Sequence, residues 1–550
     1  MSVCSFCGNS DNYKIIEGKH FCKECYEILC MMEASDVSYQ EWKISIKNYE
    51  QQENGTDIVI NGILAKIDNG LCINEQIDLL LKKIKKNIHL HLQYYSRDEL
   101  YIAILTVREA VRRLLKLKDK LDWKIINDLS TTNLLLKATS EILDDEYENN
   151  PIGSWENGAS NFITAICLAR RYDLIEENSK LTENKEISLK DICYSAIETE
   201  EINQYFLRYL LNGGSEKVED YIINNEMLKD KLEKEGKTPE YILKDINAFI
   251  KKEFGFELAD CYTICNYLRR DEFPTEKDYS RYIERNRLFI KNPLVFLKRS
   301  DLEQLCGQET LEAILNTFSI NRNILTHQNN NEIELFSLYE KNDIIVMGIF
   351  DFAQNLYAFE KFILSKDYVD IFRKSEELEK GLTKIQKKMS KYIAISVADY
   401  LFSKGYKLPM EIYKKQMIPR AEIDKIKING RQLLADCGDI DVLALDIEKK
   451  MVYLFEIKYY KPAISAYEML YKDKSRIEAD EVLRKMQKRE EVVLDNIDEV
   501  VKYILGSYEY GYNVKSILLT PRTNFYAVNE KRLNYLTWAE FMDKTRCKEL

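Results

Sequence analysis

Apolar residues recur at three- and four-residue spacings through much of this chain. Ile77, Leu80, Leu81 and Ile84 form one stripe, and Ile104, Val107, Val111, Leu114 and Leu115 another. Charged residues fill the opposite faces, which is the pattern of amphipathic helices. Residues 35–380 are therefore expected to be mostly helical. Breakers are few: Asn150-Pro151-Ile152-Gly153 and Asn212-Gly213-Gly214 mark loops, and boundaries are expected near Gly213 and at Lys291-Asn292-Pro293. No repeat of about 20–50 residues stands out, so a solenoid is not expected. The pattern changes towards the C-terminus. A helix is predicted over 384–404 and a strand over 407–413. Two strands follow, joined by the turn Asp446-Ile447-Glu448-Lys449-Lys450, then a helix over 475–505 and a strand over 514–520.

The paired strands carry unusual charges. The first follows Gly438-Asp439-Ile440-Asp441, and the second reads Tyr453-Leu454-Phe455-Glu456-Ile457-Lys458. Successive strand residues alternate faces, so Glu456 and Lys458 point the same way. Val452, Leu454, Phe455 and Ile457 make this segment too apolar for a solvated edge, so its charges carry a desolvation cost. A protein tolerates that cost where charges meet a metal and a substrate. Phosphodiester hydrolysis needs a divalent cation to activate water and offset phosphate charge. Hard cations such as Mg²⁺ take oxygen ligands, often one or two carboxylates. Asp441 and Glu456 supply such ligands, and Lys458 a charge for the attacking water or the phosphorane. The plain alternative is a buried ion pair in an ordinary α/β sheet.

The string G-[DE]-x-D-(x14)-E-x-K and the element order αβββαβ resemble the PD-(D/E)XK nuclease superfamily, over roughly residues 384–522. That resemblance implies a restriction-endonuclease-like core in which Asp441 and Glu456 bind Mg²⁺ or Mn²⁺ and Lys458 assists catalysis. Many relatives carry an acid on the first helix. Here that position falls near Ala394, and Asp399 elsewhere on the helix is the available substitute.

Cys4-x2-Cys7 and Cys22-x2-Cys25 frame a 14-residue spacer, a strong pattern for tetrahedral zinc. Four thiolates leave no open position, so the site is expected to be structural. About 30 residues cannot build a sufficient core, and bound metal supplies the missing folding energy. Cys30 is read as a core thiol, and His20 as an improbable ligand. Cys-Ser-Phe-Cys-Gly and Phe-Cys-Lys-Glu-Cys resemble the zinc-binding module of ClpX-type unfoldases. That likeness implies a treble-clef-like finger for homo-oligomerisation or for docking a protein partner.

Asn321-Arg322-Asn323-Ile324-Leu325-Thr326-His327 resembles the ribonuclease motif of HEPN domains. The likeness implies Arg322 and His327 as a metal-independent pair acting on RNA, although ordinary helix packing accounts for the string as well. His89 and His91 are read as surface or core residues. Trp42, Trp123, Trp155 and Trp538 are read as core anchors, and Tyr503, Tyr508, Tyr510 and Tyr512 as a loop against the sheet.

With 550 residues and 45% hydrophobic content, the chain is long enough for several cored domains. The expected fold is multidomain, mainly α with a C-terminal α/β domain. Its expected divisions are a Cys4 finger at 1–34, a helical body at 35–292, a helical HEPN-like segment at 293–380 and a nuclease-like domain at 381–550. Net charge of −11 argues against the whole chain coating nucleic acid. Between Lys380 and Arg431, however, 13 Lys or Arg face four Asp or Glu, either a path for a phosphate polymer or a solvated face. Met1-Ser2-Val3-Cys4 starts no secretory leader, no apolar run is long enough for a membrane span, and a cytoplasmic location is expected. No Walker A string appears. The expected activity is a metal-dependent nuclease, with DNA favoured over RNA, in microbial defence against foreign nucleic acid. The competing expectations are an HEPN-type ribonuclease and a non-catalytic nucleic-acid-binding or scaffold protein.

Overall fold

Helices dominate because the three-four stripes run almost unbroken. The structure is a computed structural model. It describes residues 4–5, 9–10, 13–16, 18–117, 123–142, 155, 159–181, 188–194, 223–268, 293–324, 335–364, 376–424, 426–428, 431–434, 437–460, 471–521 and 523–550. The chain opens on a short hairpin, β1 (Lys14–Ile16) and β2 (Lys19–Phe21). Helices α1 (Lys23–Lys47), α2 (Tyr49–Leu64), α3 (Ile73–Leu92), α4 (Arg97–Leu117), α5 (Trp123–Glu141), α6 (Ser160–Leu181) and α7 (Leu189–Tyr194) follow. Next come α8 (Glu226–Lys234), α9 (Pro239–Phe254) and α10 (Leu258–Leu268). Strand β3 (Val295–Lys298) leads into α11 (Arg299–Cys306), α12 (Gln308–Phe318) and α13 (Ile320–Asn323). Strands β4 (Leu338–Lys341) and β5 (Ile344–Met347) precede α14 (Ile349–Leu364) and α15 (Glu376–Ser403).

The C-terminal stretch holds β6 (Met410–Tyr413), β7 (Gln416–Pro419), β8 (Lys427–Ile428), β9 (Arg431–Gln432), β10 (Val442–Asp446) and β11 (Met451–Ile457). Helices α16 (Asp473–Ala479), α17 (Val482–Asp495) and α18 (Ile497–Leu505) lead to β12 (Asn513–Thr520). The chain ends with α19 (Phe525–Asn529), β13 (Tyr535–Thr537) and α20 (Trp538–Cys547). It divides into two units, one of residues 1–197 and 250–359, the other of 198–249 and 360–550. Among the described residues, no helix is long and apolar enough to cross a membrane.

In the first unit, Ile77, Leu80, Ile84, Ile88 and Leu92 bury one face of α3. Helices α4 and α6 are buried on nearly all sides, so the polar residues they carry must pair. Arg170 accordingly donates to both Asp128 oxygens, at 2.6 and 2.8 Å, and Trp42 Nε1 donates to the same carboxylate at 2.8 Å. Trp42 and Trp155 are core residues, as expected. Segment 293–380 differs from expectation: its helices are joined by a three-stranded antiparallel sheet in the order β3-β5-β4. Ile344–Met347 is a short continuous apolar run, which periodicity alone cannot assign to strand or helix. Asn342 and Asp343 take left-handed backbone in the two-residue turn that makes it a hairpin. The boundary expected near Gly213 lies outside the described residues.

The second unit is built on a mixed four-stranded sheet in the order β10-β11-β12-β13. β10 pairs antiparallel with β11, while β12 and β13 add in parallel. The strand expected over 407–413 is divided. Lys407 bridges Leu445 at the sheet edge, and the remainder forms a separate β6–β7 hairpin. The helix expected over 475–505 is three helices, broken where Glu481 turns left-handed and again at Asn496. β10 and β11 are apolar on both faces because both are covered. Leu443, Leu445, Val452 and Leu454 pack with Val493 of α17 and with Val500 and Val501 of α18. On the other face, the Phe455 ring meets Phe541 of α20, which also meets Tyr400 of α15.

Candidate functional site

Strand parity builds the C-terminal site. Val442 lies opposite Phe455 and Leu443 opposite Leu454, so Asp441 stands just outside β10 across from Glu456. Asp441, Leu443 and Leu445 share a face with Val452, Leu454, Glu456 and Lys458. That face is apolar under α17 and α18, and it turns charged at the C-terminal end of β11. Asp441 Oδ2 accepts the Ile457 N–H at 2.6 Å. Glu456 is 4% exposed, and its Oε1 lies 2.8 Å from Lys458 Nζ. Lys458 N donates to Leu519 O at 3.0 Å, extending the parallel ladder one residue past the strand. The three expected residues thus meet at one end of the sheet.

A fourth residue joins them. Arg489 of α17 is buried and bonds Glu456 Oε2 through Nη1, while its Nε donates to Cys437 O at 2.8 Å. Its place was absent from the sequence-based expectation, yet a signal existed. Val482, Met486, Arg489 and Val493 form the buried stripe of α17, and an arginine in such a stripe requires a partner.

The electrostatics follow from this crowding. Burial and the neighbouring Glu456 push the Asp441 carboxyl up to about 7, against the Ile457 N–H and Lys458. Burial also works against the Glu456 carboxylate, but Lys458 and Arg489 together hold it below the ordinary range. Lys458 loses solvation too, but Glu456, Asp441 and nearby Asp480 raise it above the usual lysine value. Lys458 is therefore a fixed cation at neutral pH and a poor proton acceptor. Two carboxylates supply hard oxygen donors, the type Mg²⁺ and Mn²⁺ take.

The first-helix substitute does not join this group. Ala394 is buried, and Asp399 accepts the N–H groups of Asn224 and Asn225 at 2.6 and 3.3 Å. Its carboxylate fastens the start of α8 to α15. The basic run is also partly neutralised. Lys380, Lys388, Lys391, Lys414 and Arg420 pair with Glu376, Asp245, Glu422, Asp230 and Asp424. Three of those acids (Glu376, Asp245 and Asp230) lie outside the run. Tyr512 is buried as a packing residue, whereas Tyr508 and Tyr510 are exposed, their rings nearly parallel at 6.4 Å.

At the N-terminus, Cys4, Cys22 and Cys25 are buried, with sulfurs within 4.8 Å of one another. The set can hold a metal such as zinc. β1 and β2 lead the chain into α1, placing Cys22 and Cys25 at the helix start, while Ser5 N donates to His20 O at 2.7 Å. Cys7, the fourth expected ligand, lies outside the described residues. Burial pushes the Cys30 thiol up to about 12, as befits a core thiol.

Arg322 sits in an ion network. It donates to Glu312 Oε2 at 2.6 Å and to Asn316 at 2.7 Å, and it pairs with Glu340, which Arg299 also engages. His327 lies outside the described residues. His89 approaches Glu141 at 3.6 Å, beside a 2.5 Å pair between Lys85 and Glu141, and His91 bonds Asn161 at 2.9 Å.

No family model matches the chain, and no solved structure matches it. The chain is similar to an uncharacterized chromosomal cassette SCCmec type IVc protein, CR006, of Staphylococcus aureus, found also in strain MRSA252. The two are 30% identical over 161 residues, 28% of this chain and 22% of that protein. The chain therefore matches about a fifth of that relative's length.

Proposed function

We propose that the second unit is a PD-(D/E)XK-like nuclease that hydrolyses nucleic acid phosphodiesters with Mg²⁺ or Mn²⁺, DNA being favoured over RNA. The observation that carries this reading is the meeting of Asp441, Glu456 and Lys458 on one face at the end of β11, with Glu456 and Lys458 paired at 2.8 Å and Asp441 held by the Ile457 N–H between them at 2.6 Å. A hard dication held by Asp441 and Glu456 would activate water and offset phosphate charge. The chain's own groups do the rest. Lys458, kept protonated by its acidic neighbours, places a positive charge where a phosphate oxygen would gather negative charge. The Ile457 N–H orients Asp441 by holding one of its oxygens. Zinc in the finger would be structural, since thiolates close the coordination shell. A cytoplasmic role in microbial defence against foreign nucleic acid belongs to the same proposal. It rests on a nuclease-like unit sharing a chain with a large helical unit, which is analogy at the level of architecture.

The test is cleavage of plasmid, linear DNA and RNA by the full chain, with and without Mn²⁺. Asp441→Ala and Lys458→Ala are each expected to lose cleavage by about 10²-fold or more while the chain stays folded. Full activity in both variants, or cleavage indifferent to chelation of Mn²⁺, refutes the assignment. No cleavage of any substrate by the wild-type chain points instead to a binding or scaffold role.

A further inference from the structure

Arg489 touches both segments that carry the proposed metal ligands, and it reaches them from a helix that carries neither. Its Nε donates to Cys437 O at 2.8 Å, at the base of the loop that leads to Asp441. Its Nη1 bonds Glu456 Oε2 in the adjacent strand. Gly438, next to Cys437, takes φ +75°, a backbone conformation that favours glycine in this loop. The planar guanidinium meets its two acceptors from fixed directions, which an ammonium cannot reproduce. With Glu456 Oε2 held by Arg489 and Oε1 by Lys458, the carboxylate has one orientation.

We infer that Arg489 is a positioning residue: it bridges the Asp441 loop to Glu456 and sets the spacing and orientation of the two carboxylates that would receive the metal. The inference rests on the nuclease reading. Its sense is geometric, since a purely electrostatic role would be met by any cation at this position. Residues that orient ligands from behind typically cost about 10- to 100-fold in metal affinity or activity when changed.

The test compares the full chain with Arg489→Lys, which keeps the charge, and with Arg489→Gln, which keeps one contact and loses the charge. Mn²⁺ binding is measured by calorimetry without nucleic acid, cleavage by kcat and KM, and folding by thermal melt. Both variants are expected to stay folded but to melt below the wild type, since buried Glu456 and Cys437 O lose a fixed donor. Each should bind Mn²⁺ about 10- to 100-fold more weakly and lose a similar factor in kcat, with KM for DNA within about 2-fold of wild type. Wild-type Mn²⁺ affinity and kcat in Arg489→Lys would overturn the inference, because charge alone would then suffice. Unfolding of both variants would also overturn it and make Arg489 an element of the fold. A wild-type chain that neither binds Mn²⁺ nor cleaves would sink the nuclease reading and this inference with it, whereas an active wild type beside an equally active Arg489→Lys would sink this inference alone.

Discussion

Glu109 shows what one buried residue can demand of its surroundings. It lies on α4, a helix covered on nearly every side, and its carboxyl accepts the N–H groups of Phe350 at 3.3 Å and Asp351 at 2.8 Å, at the start of α14. Gly348 is required beside it, since a Cβ there would collide with the Glu109 carboxylate. Gly348→Ala is therefore expected to destabilise the first unit by about 1–3 kcal/mol, readable as a lowered thermal midpoint. Burial pushes Glu109 up from the ordinary 4.5 to about 7, although Arg113 and the two N–H donors pull the other way. A carboxyl raised on folding holds its proton in the folded state. Its contribution is fully present below pH 4.5 and is lost as pH rises through about 7. Glu109→Gln keeps an acceptor oxygen without the titration. Its melting temperature is expected to gain on the wild type between about pH 5.5 and 7.5; a constant difference across that range would show that Glu109 does not titrate there. At this scale the sequence revealed Asp441, Glu456 and Lys458, which sit close together in an unusual local string. It did not reveal Arg489, whose partner Glu456 is 33 residues away and reached only through tertiary packing. Nor did it reveal that Asp399 is occupied by the backbone of Asn224 and Asn225.

The two short hairpins show why elements differ in legibility. β10 and β11 were readable because an apolar run, a charged turn and a second apolar run follow directly. β3 and β5 were not, because such short apolar runs match strand and helix equally, and β4 (Leu-Tyr-Glu-Lys) carries no apolar run at all. Among the described residues, hairpin β1–β2 is exposed apart from His20 and Phe21, and the buried cluster beside it is Cys4, Phe21, Cys22, Cys25, Tyr26 and Cys30, with Leu29 packed against it. A metal held by its thiols would add folding energy to so small a cluster. Purified protein is expected to carry one zinc per chain. Cys22→Ser should lose that zinc and render the first ~30 residues sensitive to protease, while α3 to α6 stay protected. Full zinc retention in Cys22→Ser, measured by elemental analysis, would contradict the thiolate site.

The second unit as a whole is assembled from distant stretches. α8 and α9 precede its sheet by more than a hundred residues, yet they are bound to it. Asp399 holds the start of α8, Lys388 pairs with Asp245, and Asp230 takes both Tyr413 and Lys414 of the β6–β7 hairpin. A fragment of residues 376–550 alone loses the bonds of Asp399, Lys388, Tyr413 and Lys414 to α8 and α9, at about 0.5–1.5 kcal/mol for a typical hydrogen bond. That fragment is expected to be less stable than the same fragment co-expressed with residues 223–254, measured as soluble yield and melting temperature. Equal stability of the two would show that α8 and α9 are dispensable to the unit.

The sequence by itself determined the kind of each long helix, the paired apolar strands, the thiol spacing and the three charged residues of the candidate site. These depend on local periodicity and on neighbours within a few residues or one turn. Tertiary structure decided the rest: the mixed four-stranded order, the sheet inside the helical segment, the occupation of Asp399 and Arg322, and the arrival of Arg489 over Glu456. Those outcomes turn on which buried polar group finds which partner, a choice set by packing between segments far apart in the chain.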